Sequence, residues 1–205
     1  MAERAQLRVP LCTLAFVCLA VLVSAGPAEL RAPLVLERQL VLTGELWRIV
    51  SGHLWHGEAA LAAWDLLALA ALGCWVERRS RTELLLALGL AALLSSVAVL
   101  VLRPDLASYQ GSSALASALL VTEGLRLLGR GNDALVRVAA ALALAGLGAK
   151  VVLESAELWP SPALAGAGVL ESVAVAHLAG ALAGGLVRCG CDVAAQARQR
   201  GLASP

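Results

Sequence analysis

Six mainly apolar runs, at about residues 9–26, 57–76, 84–102, 110–128, 134–153 and 172–188, divide this chain, with the charged residues gathered between them. Each is about long enough to carry a helix across the hydrocarbon of a bilayer. Inside hydrocarbon the backbone finds no water to bond, so each run must satisfy its peptide groups internally, and the Leu and Ala that fill the runs are good helix formers. The chain is 60% hydrophobic, 15% charged and 3% aromatic, with a mean hydropathy of +0.80. That composition excludes an ordinary water-soluble domain. The expected fold is all-α: one polytopic membrane domain over residues 1–205, a bundle of six transmembrane helices without a 20–50 residue repeat.

Positive charge sets the orientation. With a cytoplasmic N-terminus and alternating loops, eleven of the sixteen Lys and Arg residues fall inside, whereas Arg31, Arg38, Arg48, Arg103 and Lys150 fall outside. This inward excess places both termini in the cytoplasm. Arg4 and Arg8 ahead of an apolar core and "VSAG" also fit a cleaved secretory signal, but the length of the run and the charge count favour a retained span. The long outer loop, about residues 27–56, carries an amphipathic stretch from Leu34 to Leu42 suited to the membrane interface. Trp47, Trp55 and Trp159 suit an outer aromatic belt and Trp75 an inner one.

Other function classes find little support. The net charge is +1 and no basic stripe is interleaved with aromatics, which argues against a nucleic-acid partner. Five cysteines, mostly in or beside apolar runs, are expected to be free thiols. His53 and His56, at i, i+3 with Glu58 nearby, could ligate a metal, but nothing supplies a clear third ligand set, so interfacial hydrogen bonding is the expectation there and no metal site is assigned. Lys150 and Glu154 stand one turn apart and are expected to pair at the outer end of span 5. Arg48 is expected to reach headgroups or to brace the first loop.

The chemistry sits where polar residues enter the membrane. In "VAVAHLAGALAGGLV" (173–187) a single imidazole, His177, interrupts hydrocarbon about 9 Å below the outer surface, taking 1.5 Å of rise per residue. Ser113, in "ASYQGSSALASALLV" (107–121), enters from the same face at a depth of about 5–6 Å. A serine hydroxyl becomes a useful nucleophile when a nearby base takes its proton, and imidazole suits that role. Gly111 allows close backbone approach beside the serine, and Gly180 and Gly184 line the His177 face of span 6 for tight packing. The start of span 4 offers unpaired N–H groups where an oxyanion would form. Ser95, Ser96, Ser112 and Ser117 read as helix serines bonding the preceding turn.

In order along the chain, these residues resemble the rhomboid intramembrane serine proteases, and most of all the compact six-span rhombosortases. Gly111-Ser112-Ser113-Ala114 is similar to the nucleophile motif Gly-x-Ser-Gly. Ala176-His177-Leu178-Ala179-Gly180 through Gly184 matches Ala-His-x-x-Gly-x-x-x-Gly. "ELWRIVSGHLWH" (45–56), "LGCWVERRS" (72–80) and "LGAKVVLES" (147–155) resemble the first-loop Trp-Arg segment, the Gly-x-x-x-Glu-Arg end of span 2 and a Lys-x-x-x-Glu segment of span 5. The resemblance implies a Ser113–His177 dyad, without metal or cofactor, cutting membrane-anchored proteins near the outer face of a bacterial plasma membrane. The implied substrates are secreted proteins with C-terminal sorting tails.

Two departures stand out. Ala114 replaces a glycine, and Leu61 and Asp65 occupy the places where the family often has His-x-x-x-Asn on span 2 to hold the oxyanion. Asp65 falls about 12 Å deep, where an ionised carboxylate is expensive. In its acid form it would donate to the oxyanion; ionised, it would pair with protonated His177. Two rival functions remain at this stage: a rhomboid-like protein that binds transmembrane helices without cutting them, and a small transporter relaying protons through His177 and Asp65.

Overall fold

A computed structural model describes residues 9–129, 131–156, 158 and 173–202; Arg4, Arg8, Arg130, Trp159 and Ser172, the first residue expected in span 6, lie outside the described residues. Along the chain run α1 (Leu11–Ala25), α2 (Ala28–Arg31), β1 (Leu36–Glu37), α3 (Arg38–Leu42), α4 (Arg48–Ser51), a 3-10 turn (Gly52–Leu54), α5 (Ala59–Arg79), α6 (Arg81–Leu102), β2 (Ser108–Tyr109), α7 (Ser113–Leu127), α8 (Ala134–Ser155) and α9 (Ala174–Leu202). The all-α membrane architecture expected from the apolar runs is present. Among the described residues four helices, α5, α6, α8 and α9, are long and apolar enough to cross a bilayer. The other two expected spans are shorter: α1 and α7 have 15 residues each, about 22 Å of helix.

The short α7 owes its length to local chemistry. Gly111 adopts φ +104°, which stops the helix from starting at residue 110 as the hydropathy suggests. The helix lies inside the protein, with Ala114, Leu115, Ala118 and Leu119 at most 2% exposed, so it is shielded by α5, α6 and α9. Its tightest neighbour is α9. A Cβ added at Gly180 would stand 2.1 Å from the Ala114 carbonyl oxygen, and one at Gly184 would stand 2.2 Å from that of Ala118. Both contacts share one register, so the helices run parallel with their backbones touching, as small residues permit.

Ionic groups fasten the opposite end. Glu77 accepts hydrogen bonds from the Cys12 and Thr13 amides and from the Thr13 hydroxyl, at 2.8–2.9 Å, capping the start of α1. Ser80 caps α6 by accepting from the Glu83 amide. Glu83 pairs with Arg79 and Arg188, and Glu123 with Arg79 and Arg126, which joins α5, α6, α7 and α9. Buried carboxylates are tolerable there because each has a cationic partner.

The first loop differs from the expected interfacial stretch. Val35, Leu36 and Val41 are buried in the protein, because β1 pairs antiparallel with β2, Leu36 opposite Tyr109. Arg48 braces this loop: it is 4% exposed and donates to the Ala32 and Val35 carbonyls and to Glu45. All five cysteines are free thiols.

The α7–α9 contact makes a sharp prediction. Gly184→Val is expected to destabilise the protein by about 3 kcal/mol or more, because backbone cannot yield as a side chain can. Gly185→Ala, whose Cβ would meet nothing within 4 Å, should leave stability unchanged or slightly raised. Thermal unfolding of the two variants in detergent measures the difference.

Candidate functional site

The α7–α9 register brings the expected nucleophile and base to one level. Gly180 lies opposite Ala114 and Gly184 opposite Ala118; counting back, Ser113 and His177 differ by two residues along parallel axes, or about 3 Å of rise. Ser113 is the first residue of α7, so the amides of its first turn have no acceptor within the helix. Ser113 is half-buried, whereas Ser112 is fully buried.

His177 is 5% exposed and is held from α8. Its Nδ1 lies 2.8 Å from Glu154 Oε2. Lys150 pairs with Glu154, as expected, and its Nζ also stands 3.2 Å from Nδ1 and 3.1 Å from Nε2 of the imidazole. The pair expected merely to fix a helix end therefore holds the histidine as well. Position in sequence alone left Glu154 without this role.

A second cluster forms around Gly111. His56 is 3% exposed; its Nε2 accepts from the Ser112 amide and lies 3.2 Å from Ser112 Oγ. Asp65 Oδ2 approaches the same nitrogen at 3.4 Å. A Cβ on Gly111 would stand 3.6 Å from Asp65 Oδ2 and 3.7 Å from His56 Cδ2. Although Leu61 takes the expected histidine position on α5, an imidazole does stand beside the serine turn, supplied by the loop before α5. Asp65 lies with His56; the carboxylate that meets His177 is Glu154.

His53 and His56 are buried, in place of the interfacial setting expected for them. His53 donates from Nδ1 to the Gly111 carbonyl at 2.9 Å, its Nε2 is 3.2 Å from Ser96 Oγ, and its ring meets Tyr109 edge to face. Ser96 bonds across to the Ile49 carbonyl instead of its own preceding turn, while Ser95 and Ser117 bond back as expected. Among the described residues no group of three or more His, Cys, Asp or Glu is arranged to hold a metal.

Tyr109, absent from the sequence reading, completes the cluster. Its phenol is pushed up in pKa by burial foremost and then by the Asp65 carboxylate, with a weaker push from Glu154 and an opposing pull from Ser113. It is therefore a neutral hydrogen-bond donor near all three. The Tyr109 hydroxyl, Asp65 Oδ2 and His56 Nδ1 are all buried without a hydrogen-bond partner. Buried polar atoms left open are costly, and these three belong to residues around the Gly111 turn.

The two imidazoles thus differ in what holds them: His56 meets Ser112 and Asp65, and His177 meets Glu154 and Lys150. At His56, Ser112 Oγ and Asp65 Oδ2 converge on Nε2, while Nδ1 has no hydrogen-bond partner. At His177 the carboxylate holds Nδ1, so Nε2 remains as the basic atom.

Two predictions follow from these contacts. Gly111→Ala should cost about 1–3 kcal/mol, because a side chain at φ +104° is strained, with the loss read by thermal unfolding. Burial above all lowers the pKa of His53, with His56 adding to it and two backbone hydrogen bonds opposing. A histidine that resists protonation when folded supports stability above its unfolded value of 6.5 and loses that support as pH falls below it. Stability should drop on acidification from pH 7.5, and less steeply in His53→Gln, as measured by unfolding at each pH.

Compared with known proteins, the chain matches no family model and no curated protein sequence.

Proposed function

We propose that the chain is an intramembrane serine endopeptidase of rhomboid type, in which Ser113 is the nucleophile and His177 its base. The observation that carries this reading is the close seating of Gly180 on Ala114, which sets His177 and Ser113 at one level beside three unsatisfied polar atoms. In the proposed reaction His177 Nε2 takes the Ser113 proton as Oγ attacks a peptide carbonyl, then returns it to the leaving amine; water hydrolyses the acyl-enzyme by the same path. The first-turn amides of α7 hold the oxyanion, with Asp65 in its acid form as a further donor where the rhomboid pattern places Asn. No metal or cofactor is called for. On this reading α1 and α7 join the four longer helices as six spans of a bacterial plasma membrane protein with both termini in the cytoplasm. Its partners are the lipid bilayer and membrane-anchored proteins, by resemblance the C-terminal sorting tails of secreted proteins.

The second reading, a rhomboid-like protein that binds transmembrane helices without cutting them, draws on Leu61 in the place of the span 2 histidine. A fluorophosphonate probe decides between them. The proposal predicts covalent labelling that mass spectrometry assigns to Ser113, slowed about 10²–10⁴-fold in His177→Ala and abolished in Ser113→Ala. An unlabelled wild type supports the non-cutting reading.

A further inference from the structure

We propose that Glu154 is the positioning residue of His177, so that the site works as a Ser113–His177–Glu154 triad with Lys150 as the carboxylate's counter-ion. This rests on the protease reading and goes beyond the two-residue dyad that the sequence resemblance implies. The Glu154 side chain is fully buried, and its two oxygens are divided between Lys150 on Oε1 and His177 Nδ1 on Oε2. A carboxylate held in this way only accepts, so the hydrogen of neutral His177 sits on Nδ1 and the lone pair on Nε2. Lys150 Nζ stands 3.1 Å from Nε2 and 3.2 Å from Nδ1, over the ring face and off the in-plane lone pair, which in the proposed reaction meets the Ser113 hydroxyl.

Charge gives the stronger reason. When Nε2 accepts the Ser113 proton, an imidazolium forms within about 3 Å of the Lys150 ammonium, and like charges at that distance oppose proton transfer. Glu154 touches both cations and offsets the second charge as it appears. Asp65 lies with His56 beside the Gly111 turn; the carboxylate in contact with His177 is Glu154. Lys150 next to a base would otherwise be a handicap; with Glu154 between them, the ion pair becomes part of the device that fixes the tautomer.

The test uses the full chain in detergent. Histidine-selective ¹⁵N NMR of Ser113→Ala protein is expected to show neutral His177 protonated on Nδ1, with a far-downfield proton resonance that disappears in Ser113→Ala/Glu154→Gln. Finding the hydrogen on Nε2 in Ser113→Ala overturns the proposal, and this measurement needs no Glu154 variant to fold. With Ser113 active, Glu154→Gln should slow fluorophosphonate labelling of Ser113 by about 10²–10⁴-fold, and Glu154→Asp should restore part of the rate. Turnover of a peptide substrate should fall in kcat with little change in KM, because the imidazolium forms only as bonds change. If wild type is labelled on Ser113 and Glu154→Gln is labelled at the same rate, the triad is wrong and the protease reading stands. If wild type is not labelled on Ser113, both fall.

Discussion

The backbone contact between α7 and α9 is the constraint on which the other features depend. Two glycines on α9 sit against two alanine carbonyls on α7, with no room for a methyl group at either point. In hydrocarbon there is little hydrophobic gain from pressing helices together, so packing of this kind supplies the attraction. It also fixes rotation and height: once Gly180 is seated, His177 has one level and one face. Gly111 then bends the chain just before α7, held by a bond from its amide to the Gly52 carbonyl and by His53 on its own carbonyl.

Ionisable groups are distributed so that each buried charge has a partner. At one end Glu77, Glu83 and Glu123 knit five helices through arginines and capped amides. At the other, Glu154 serves Lys150 and His177. Around Gly111, His56 Nδ1, Asp65 Oδ2 and the Tyr109 hydroxyl are left open, as are Ser24 Oγ, Arg31 Nε and Trp55 Nε1 elsewhere.

Much of this was legible in the apolar runs. Expected spans at 57–76, 84–102 and 134–153 become Ala59–Arg79, Arg81–Leu102 and Ala134–Ser155. Hydropathy finds the apolar centre of a helix, whereas its ends are set by caps and pairs: Ser80 and Glu83 carry α6 back to Arg81, and α9 continues well past residue 188, with Arg188 and Asp192 paired one turn apart. Gly111 shortens α7 because a positive φ is a backbone property that hydropathy does not register. The candidate pair Ser113 and His177 could be read from residue type and depth. Glu154, His56 and Tyr109 could not, since each meets its partner through contacts 23 to 56 residues apart or through a two-residue strand pairing. Such contacts depend on helix rotation, which depth alone leaves open.

An experimental structure of the protein carrying a phosphonate adduct would test the central claim most directly. The account predicts phosphorus bonded to Ser113 Oγ, His177 Nε2 within about 3.2 Å of that oxygen, and the phosphoryl oxygen turned toward the first amides of α7 and Asp65. An adduct on Ser112, or a His177 ring turned away with Nε2 more than about 7 Å from Ser113 Oγ, would contradict it.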